Sequence, residues 1–197
     1  MNRLLIIGAG GHGRSVAEAV LLRNEYLLAG FLDDGVGGQE RLWDWPILGA
    51  TSMLPACRGQ VDVVIVAIGS NSLREALHAR IRAEGFAFAT VIHPAAVVSP
   101  RAVVDKGCVV LAGAVIGTGA QLGEGVIVNS GAVVDHDCIV EPFAHLGVKA
   151  GMGGGSVLGR RAWMQVGASV LHGARVAPDQ ICTSQSLGSA RSSDQGK

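Results

Sequence analysis

From Ala96 to Asp179 the chain divides into 14 consecutive hexads without a single insertion, beginning AVVSPR, AVVDKG, CVVLAG and ending ASVLHG, ARVAPD. The third position is aliphatic or Met in every hexad, from Val98 and Val134 through Met152 and Met164 to Val176. The first position is Ala, Ser or Cys almost throughout, with Val126 the largest exception. A repeat this short cannot bury its own apolar face and must stack on its neighbours, which makes a solenoid. In such a solenoid the first and third positions point inward, the second points outward, and the fourth to sixth turn a corner. Three hexads close one triangular coil, so residues 18 apart stack at roughly the strand spacing of 4.7–4.9 Å.

The residues ahead of the repeat follow a different rhythm. Arg3–Ile7 and Tyr26–Leu32 are expected as strands, and 61–68 (VDVVIVAI) has the continuous apolar character of a central parallel strand. Helices are expected over about 14–22 and from Asn71 or Ser72 to about Glu84, with Thr51 capping a shorter one. Phe86–Ile92 should supply a last strand, and His93-Pro94 the hinge into the hexads. This alternation implies a small, doubly wound α/β domain over residues 1–92, a β-solenoid over 93–182 and a polar, Ser-rich tail over 183–197.

Composition narrows the function. With 16 acidic and 16 basic residues, there is no nucleic-acid footprint and no basic membrane patch. The opening MNRLLII runs straight into glycines and reads as a strand, not a leader, and no apolar run approaches a membrane span. Cys57, Cys108, Cys138 and Cys182 show no metal or disulfide spacing and suit buried positions in a reducing cytoplasm.

Two features carry chemistry. Gly8-x-Gly10-x-x-Gly13 lies between a strand and a helix, with Asp33 twenty residues beyond, the context in which glycines let a backbone approach a diphosphate. A dehydrogenase would need a second half-sheet, whereas a nucleotide sugar needs only this one. In the hexads, His136 is a fifth-position corner residue between Asp135 and Asp137, and one coil on the same corner is Gly153-Gly154-Gly155. A histidine held by a carboxylate beside an open shelf is a candidate general base. His172 is two coils on. His145 is an outward second-position residue on the face opposite that corner, in column with Val109, Ile127 and Trp163. Both histidines can serve one site only between subunits, and the apolar column predicts a partner on that face. A cyclic trimer meets both demands.

At this point GAGGHGR (8–14), FLDD (31–34), VAIGSN (66–71), IHPAAVVSP (92–100) and NSGAVVDHDC (129–138) resemble a known family. It is that of the bacterial nucleotide-sugar acetyltransferases of the hexapeptide-repeat superfamily, related to sialic acid O-acetyltransferases and including perosamine and bacillosamine N-acetyltransferases. The resemblance implies a left-handed parallel β-helix trimer after a Rossmann-like domain, using acetyl-CoA and no metal on a nucleotide-linked 4-amino-4,6-dideoxy sugar. It implies His136 as general base with Asp137 raising its basicity. It implies His145, Val166 and Ser184 as acetyl-CoA contacts, and Gly10, Gly11, His12, Asp33, Asp34, Gly69 and Asn71 as nucleotide-sugar contacts. The chain departs from the family pattern at Gln165, at Glu141 and in a tail where only Gly188-Ser189-Ala190-Arg191 echoes the usual ending. Sialic-acid-type O-acetylation, a non-catalytic nucleotide-sugar scaffold and a γ-carbonic-anhydrase-like metal site using His136 and His172 are the alternatives.

Overall fold

The computed structural model describes residues 1–35 and 40–184. The chain opens with β1 (Asn2–Ile7), α1 (Gly11–Arg23) and β2 (Tyr26–Leu32). A small antiparallel hairpin, β3 (Arg41–Leu42) and β4 (Trp45–Pro46), and a 3-10 helix (Thr51–Cys57) lead to β5 (Val63–Val66), α2 (Asn71–Ala83) and β6 (Ala87–Phe88). The four-stranded sheet is parallel, in the order β2-β1-β5-β6. The period of two along β1 sends alternate residues to opposite layers. Leu4 and Ile6 pack with Val16 and Val20 of α1, while Leu5 and Ile7 pack with Leu77 and Ile81 of α2 and Leu54 of the 3-10 helix.

Two expectations shift here. Helix α1 begins at Gly11, inside the glycine motif, because Gly10 serves as its N-cap. Thr51 is the first residue of the 3-10 helix and not its side-chain cap. The Asp34 carboxylate does the capping instead, accepting from the Thr51 amide at 2.7 Å and its hydroxyl at 2.9 Å.

Residues 86–92 split into two strands with different partners. β6 completes the N-terminal sheet, but β7 (Val91–Ile92) pairs with Val109–Val110 and is the first strand of the solenoid. His93-Pro94 is thus the first corner and not a hinge. Sixteen two-residue strands, from β7 to Ile181–Cys182, stack into three parallel sheets with the 18-residue register of the repeat. Thr90 and Gln180 occupy first positions of the two added strands, and their polarity hid those strands from the repeat. Apolar first- and third-position residues from Cys108 to Cys182 form one continuous core, and all four cysteines are free and buried. No helix among the described residues is long and apolar enough to cross a membrane.

The lower part of the outward apolar column is covered, and by the chain itself. Val91, Val109, Leu111 and Ile127 join the core that contains α1, so α1 is buried between the parallel sheet and one face of the solenoid. Above His145 the same column stays open, with Trp163 39% and Ile181 55% exposed. On the other two faces most outward apolar residues stay open, with Val97 63% and Val103 61% exposed, while Val157 is buried.

On the other side of the sheet α2 docks through Arg74 and His78, four residues apart on one helix face. Arg74 is fully buried, and all of its acceptors are carbonyl oxygens. Nε donates to Gly125 O at 2.7 Å and Nη2 to Phe143 O at 2.6 Å, both in the solenoid. Nη1 donates to Ile68 O at 3.0 Å, and Nη2 also donates to Asn71 Oδ1 at 2.8 Å, both in the N-terminal domain. Burial without a carboxylate pulls the guanidinium pKa down to about 10, still charged at neutral pH. His78 is likewise buried, hydrogen-bonded to Glu124 at 2.9 Å and stacked on Phe88 at 4.4 Å. Loss of the guanidinium strands several buried carbonyls at once. Arg74→Ala is therefore expected to lower unfolding free energy by about 3 kcal/mol in urea titrations. Removal of the half-exposed Arg82–Glu124 pair by Arg82→Ala should cost under about 1 kcal/mol.

Candidate active site

The first candidate region lies at the carboxyl ends of β1 and β5, where strand order reverses and open α/β sheets take their ligands. Two glycines of the motif are required by packing. A Cβ on Gly13 would lie 2.0 Å from Gly8 O, and one on Gly8 (φ 111°) would lie 2.6 Å from Ala67 O. Gly10 and Gly11 differ: a Cβ on either meets nothing within 4 Å. Their backbone therefore faces open space at the start of α1, which has no side-chain cap. Asp33 braces this loop, accepting from the Ala9 and Gly35 amides at 2.6 Å each. With Asp34 engaged by Thr51, both carboxylates have protein partners on at least one edge.

His12 projects from the first turn of α1 to within 6.5 Å of His145, ring centroid to centroid. His145 is only 8% exposed and stacks on Trp163 at 5.9 Å. Nε2 of His12 and both ring nitrogens of His145 are buried without a hydrogen-bond partner among the described residues. Burial first, then the Arg74 charge, lowers His12 to about 4 and His145 to about 3, so both are neutral at pH 7. The Gly69 backbone offsets this partly for His145 without reaching hydrogen-bond geometry.

Beside them opens a pocket of about 520 Å³ walled by Gly69–Ser72, His145, Trp163, Ile181 and the Arg161–Asp179 pair. Arg161 grips Asp179 bidentately at 2.6 and 2.7 Å and reaches Glu75 at 2.6 Å. Asn71 spans the seam, donating to Arg161 O at 2.7 Å while its Oδ1 accepts from Arg74. Its amide is thus engaged within the protein, and Gly69 is the freer of the two expected contacts in this loop.

The second region is the corner after Val133–Val134. His136 is exposed, and its Nδ1 lies 2.9 Å from Asp137 Oδ2. Asp137 takes the left-handed conformation (φ 57°) that glycine holds at many equivalent corners, which folds its carboxylate back onto the imidazole. That hydrogen bond, with the Asp135 charge, raises the His136 pKa. The glycine shelf lies directly under the ring: a Cβ on Gly154 would lie 2.3 Å from His136 Nε2 and would displace the imidazole.

His145 belongs to the sheet opposite the His136 corner, as the register predicts. Val166 and Ser184 turn the same corner one coil apart, after Trp163–Met164 and Ile181–Cys182, away from His136. One chain therefore carries two half-sites on different sides. Among the described residues no group of three or more His, Cys, Asp or Glu is placed to hold a metal ion. The departure at Glu141 has a structural role, since Oε2 accepts from the Arg160 amide at 2.8 Å in the corner where α2 docks. Arg74, Arg161 and Asp179 escaped the sequence reading, and Trp163 entered it only as a member of the outward column. Only the Arg74/His78 spacing could have flagged the docking face.

Residues 3–81 match the family model described as the PglD N-terminal domain. A perosamine N-acetyltransferase from Caulobacter crescentus, solved with CoA and GDP-perosamine, is 34% identical. The match covers 96% of this chain and 90% of that one with a TM-score of 0.90. The acetyltransferase domain of PglB from Neisseria gonorrhoeae, solved with acetyl coenzyme A, is 33% identical over 94% of this chain and 95% of that one, with a TM-score of 0.73. A UDP-N-acetylbacillosamine N-acetyltransferase from Bacillus subtilis is 34% identical over 97 residues, which cover 49% of this chain and 45% of that relative. The chain belongs to the bacterial nucleotide-sugar acetyltransferase family. Its fold is that family's: a Rossmann-like α/β domain followed by a left-handed parallel β-helix of hexapeptide repeats. Nuclear magnetic resonance titration should place the His136 midpoint above the usual 6.5, and Asp137→Asn should lower it.

Proposed function

We propose that this chain is an acetyl-CoA-dependent N-acetyltransferase acting on a nucleotide-linked amino sugar of the 4-amino-4,6-dideoxy class. The observation that carries this reading is His136: Asp137 holds one ring nitrogen, and the other faces a corner cleared by Gly154. The solved relatives support the substrate pair, since they hold CoA with GDP-perosamine or acetyl coenzyme A.

His136 Nε2 accepts the proton of the sugar amine as the nitrogen attacks the thioester carbonyl carbon. The C–N bond forms, the C–S bond breaks, and the thiol leaves without an acetyl-enzyme. Asp137 stabilises the imidazolium that results and keeps Nε2 as the basic nitrogen. The open backbone at Gly10 and Gly11, with His12, Asp33, Asp34, Gly69 and Asn71 around it, holds the nucleotide sugar at the start of α1. His145, neutral at pH 7, retains one N–H to donate to the acyl carbonyl, with Val166 and Ser184 further along the coenzyme.

The two half-sites of one chain face different sides, so the working site forms between subunits of a homotrimer. The open valine columns around Val97 and Val103 are the surfaces available for that assembly. The enzyme works in the cytoplasm, consistent with four free buried cysteines, and its product serves polysaccharide biosynthesis.

Free-thiol release from acetyl-CoA is expected with a UDP- or GDP-linked 4-amino sugar, and should fall at least about 100-fold in His136→Ala. Transfer to hydroxyl-bearing acceptors alone would point to O-acetylation, and ligand binding without thiol release to a scaffold. Because the base must be unprotonated and its pKa is raised, activity should be lost as pH falls through a midpoint above 6.5. Asp137→Asn should move that limb to lower pH. Full activity in a monomer, measured by sedimentation, would overturn the shared site.

A further inference from the structure

We propose that His172 is a second contact residue of the His136 corner, placed on the acyl-donor side of the reacting atoms. The assignment rests on the acetyl-transfer reading above and adds to it a residue which neither the family resemblance nor the base mechanism uses.

Three observations meet at this corner. Asp137 occupies His136 Nδ1, so Nε2 is the working end, and its direction is marked by Gly154, whose Cβ would lie 2.3 Å from Nε2 and 2.6 Å from Cε1. The working nitrogen therefore looks over the glycine shelf. Across the shelf stands His172, its ring centroid 6.3 Å from that of His136 and its plane tilted by 46°. The relation is held by main chain, since Gly155 N donates to His136 O and Gly173 N to Gly154 O, each at 2.9 Å. His172 is exposed, and no described residue hydrogen-bonds its ring.

With centroids 6.3 Å apart and planes tilted by 46°, the two rings can both reach one small group laid over the shelf. Nitrogen and thioester carbon must approach to about 3–3.5 Å before reaction. The amine has to lie next to His136, because its proton goes to Nε2. The carbonyl carbon and sulfur then lie on the far side of the amine, toward His172. An N–H of His172 can donate a hydrogen bond to the thioester there. No proton leaves His172: the amine proton passes to His136, and the departing sulfur takes its proton from solvent.

The test separates the two substrates. His172→Ala should raise KM for acetyl-CoA about fivefold or more while KM for the nucleotide sugar stays within about twofold, the worth of one hydrogen bond. His172→Gln restores an N–H donor and should recover most of that loss, whereas His172→Phe should not. Calorimetric titration of acetyl-CoA into wild-type and His172→Ala protein provides a readout independent of turnover. Equal acetyl-CoA affinity in the two, or equal changes in both KM values, would overturn the assignment and leave the acetyltransferase reading intact. No acetyl-CoA binding by the wild-type protein would overturn both.

Discussion

Helix α1 is shared between two cores that are each incomplete without it. On one side it covers Leu4, Ile6 and Val63 of the parallel sheet; on the other it covers Val109, Leu111 and Ile127 of the β-helix. A thin four-stranded sheet needs a layer on each face, and an apolar β-helix face needs cover from water. One helix covers the β-helix face and one face of the sheet, and α2 with the 3-10 helix covers the other. The same contact brings the start of α1 up to the β-helix, which is why His12 meets His145 at all.

Arg74 secures the opposite edge of that contact with uncompensated charge. A guanidinium bonded only to carbonyls holds Gly125 and Phe143 of the β-helix against the loop at Ile68 and Asn71. Its field adds to burial in keeping His12 and His145 neutral. The histidine at the corner sits in the reverse environment, exposed and between carboxylates, and is pushed toward the charged form. One chain thus holds two neutral imidazoles beside the start of α1 and one imidazole of raised basicity at an exposed corner. These environments lie on different sides of the prism.

The repeat was legible because its physics is local: a small first residue and an aliphatic third residue fill a narrow prism whatever lies outside it. The corner of His136 was legible for the same reason, since a register of 18 puts Gly154 and His172 above it by arithmetic. Polar first positions at Thr90 and Gln180 concealed the two terminal strands, where the small-residue rule no longer applied. The column under Val109 and Ile127 was read correctly as covered, yet the cover was assigned to another subunit. An apolar stripe records that water is excluded and says nothing of which chain excludes it.

Periodicity and glycine spacing by themselves therefore determined the two folds, their order and the position of the His136 corner. Only the tertiary structure decided that α1 closes the β-helix face, that Arg74 joins the halves, and that Asp34 and Asn71 are engaged by protein atoms. The physical reason is range. Repeat packing and turn conformation depend on residues a few positions or one coil apart, whereas a buried arginine finds carbonyls 51 and 69 residues away, and no local pattern encodes that meeting.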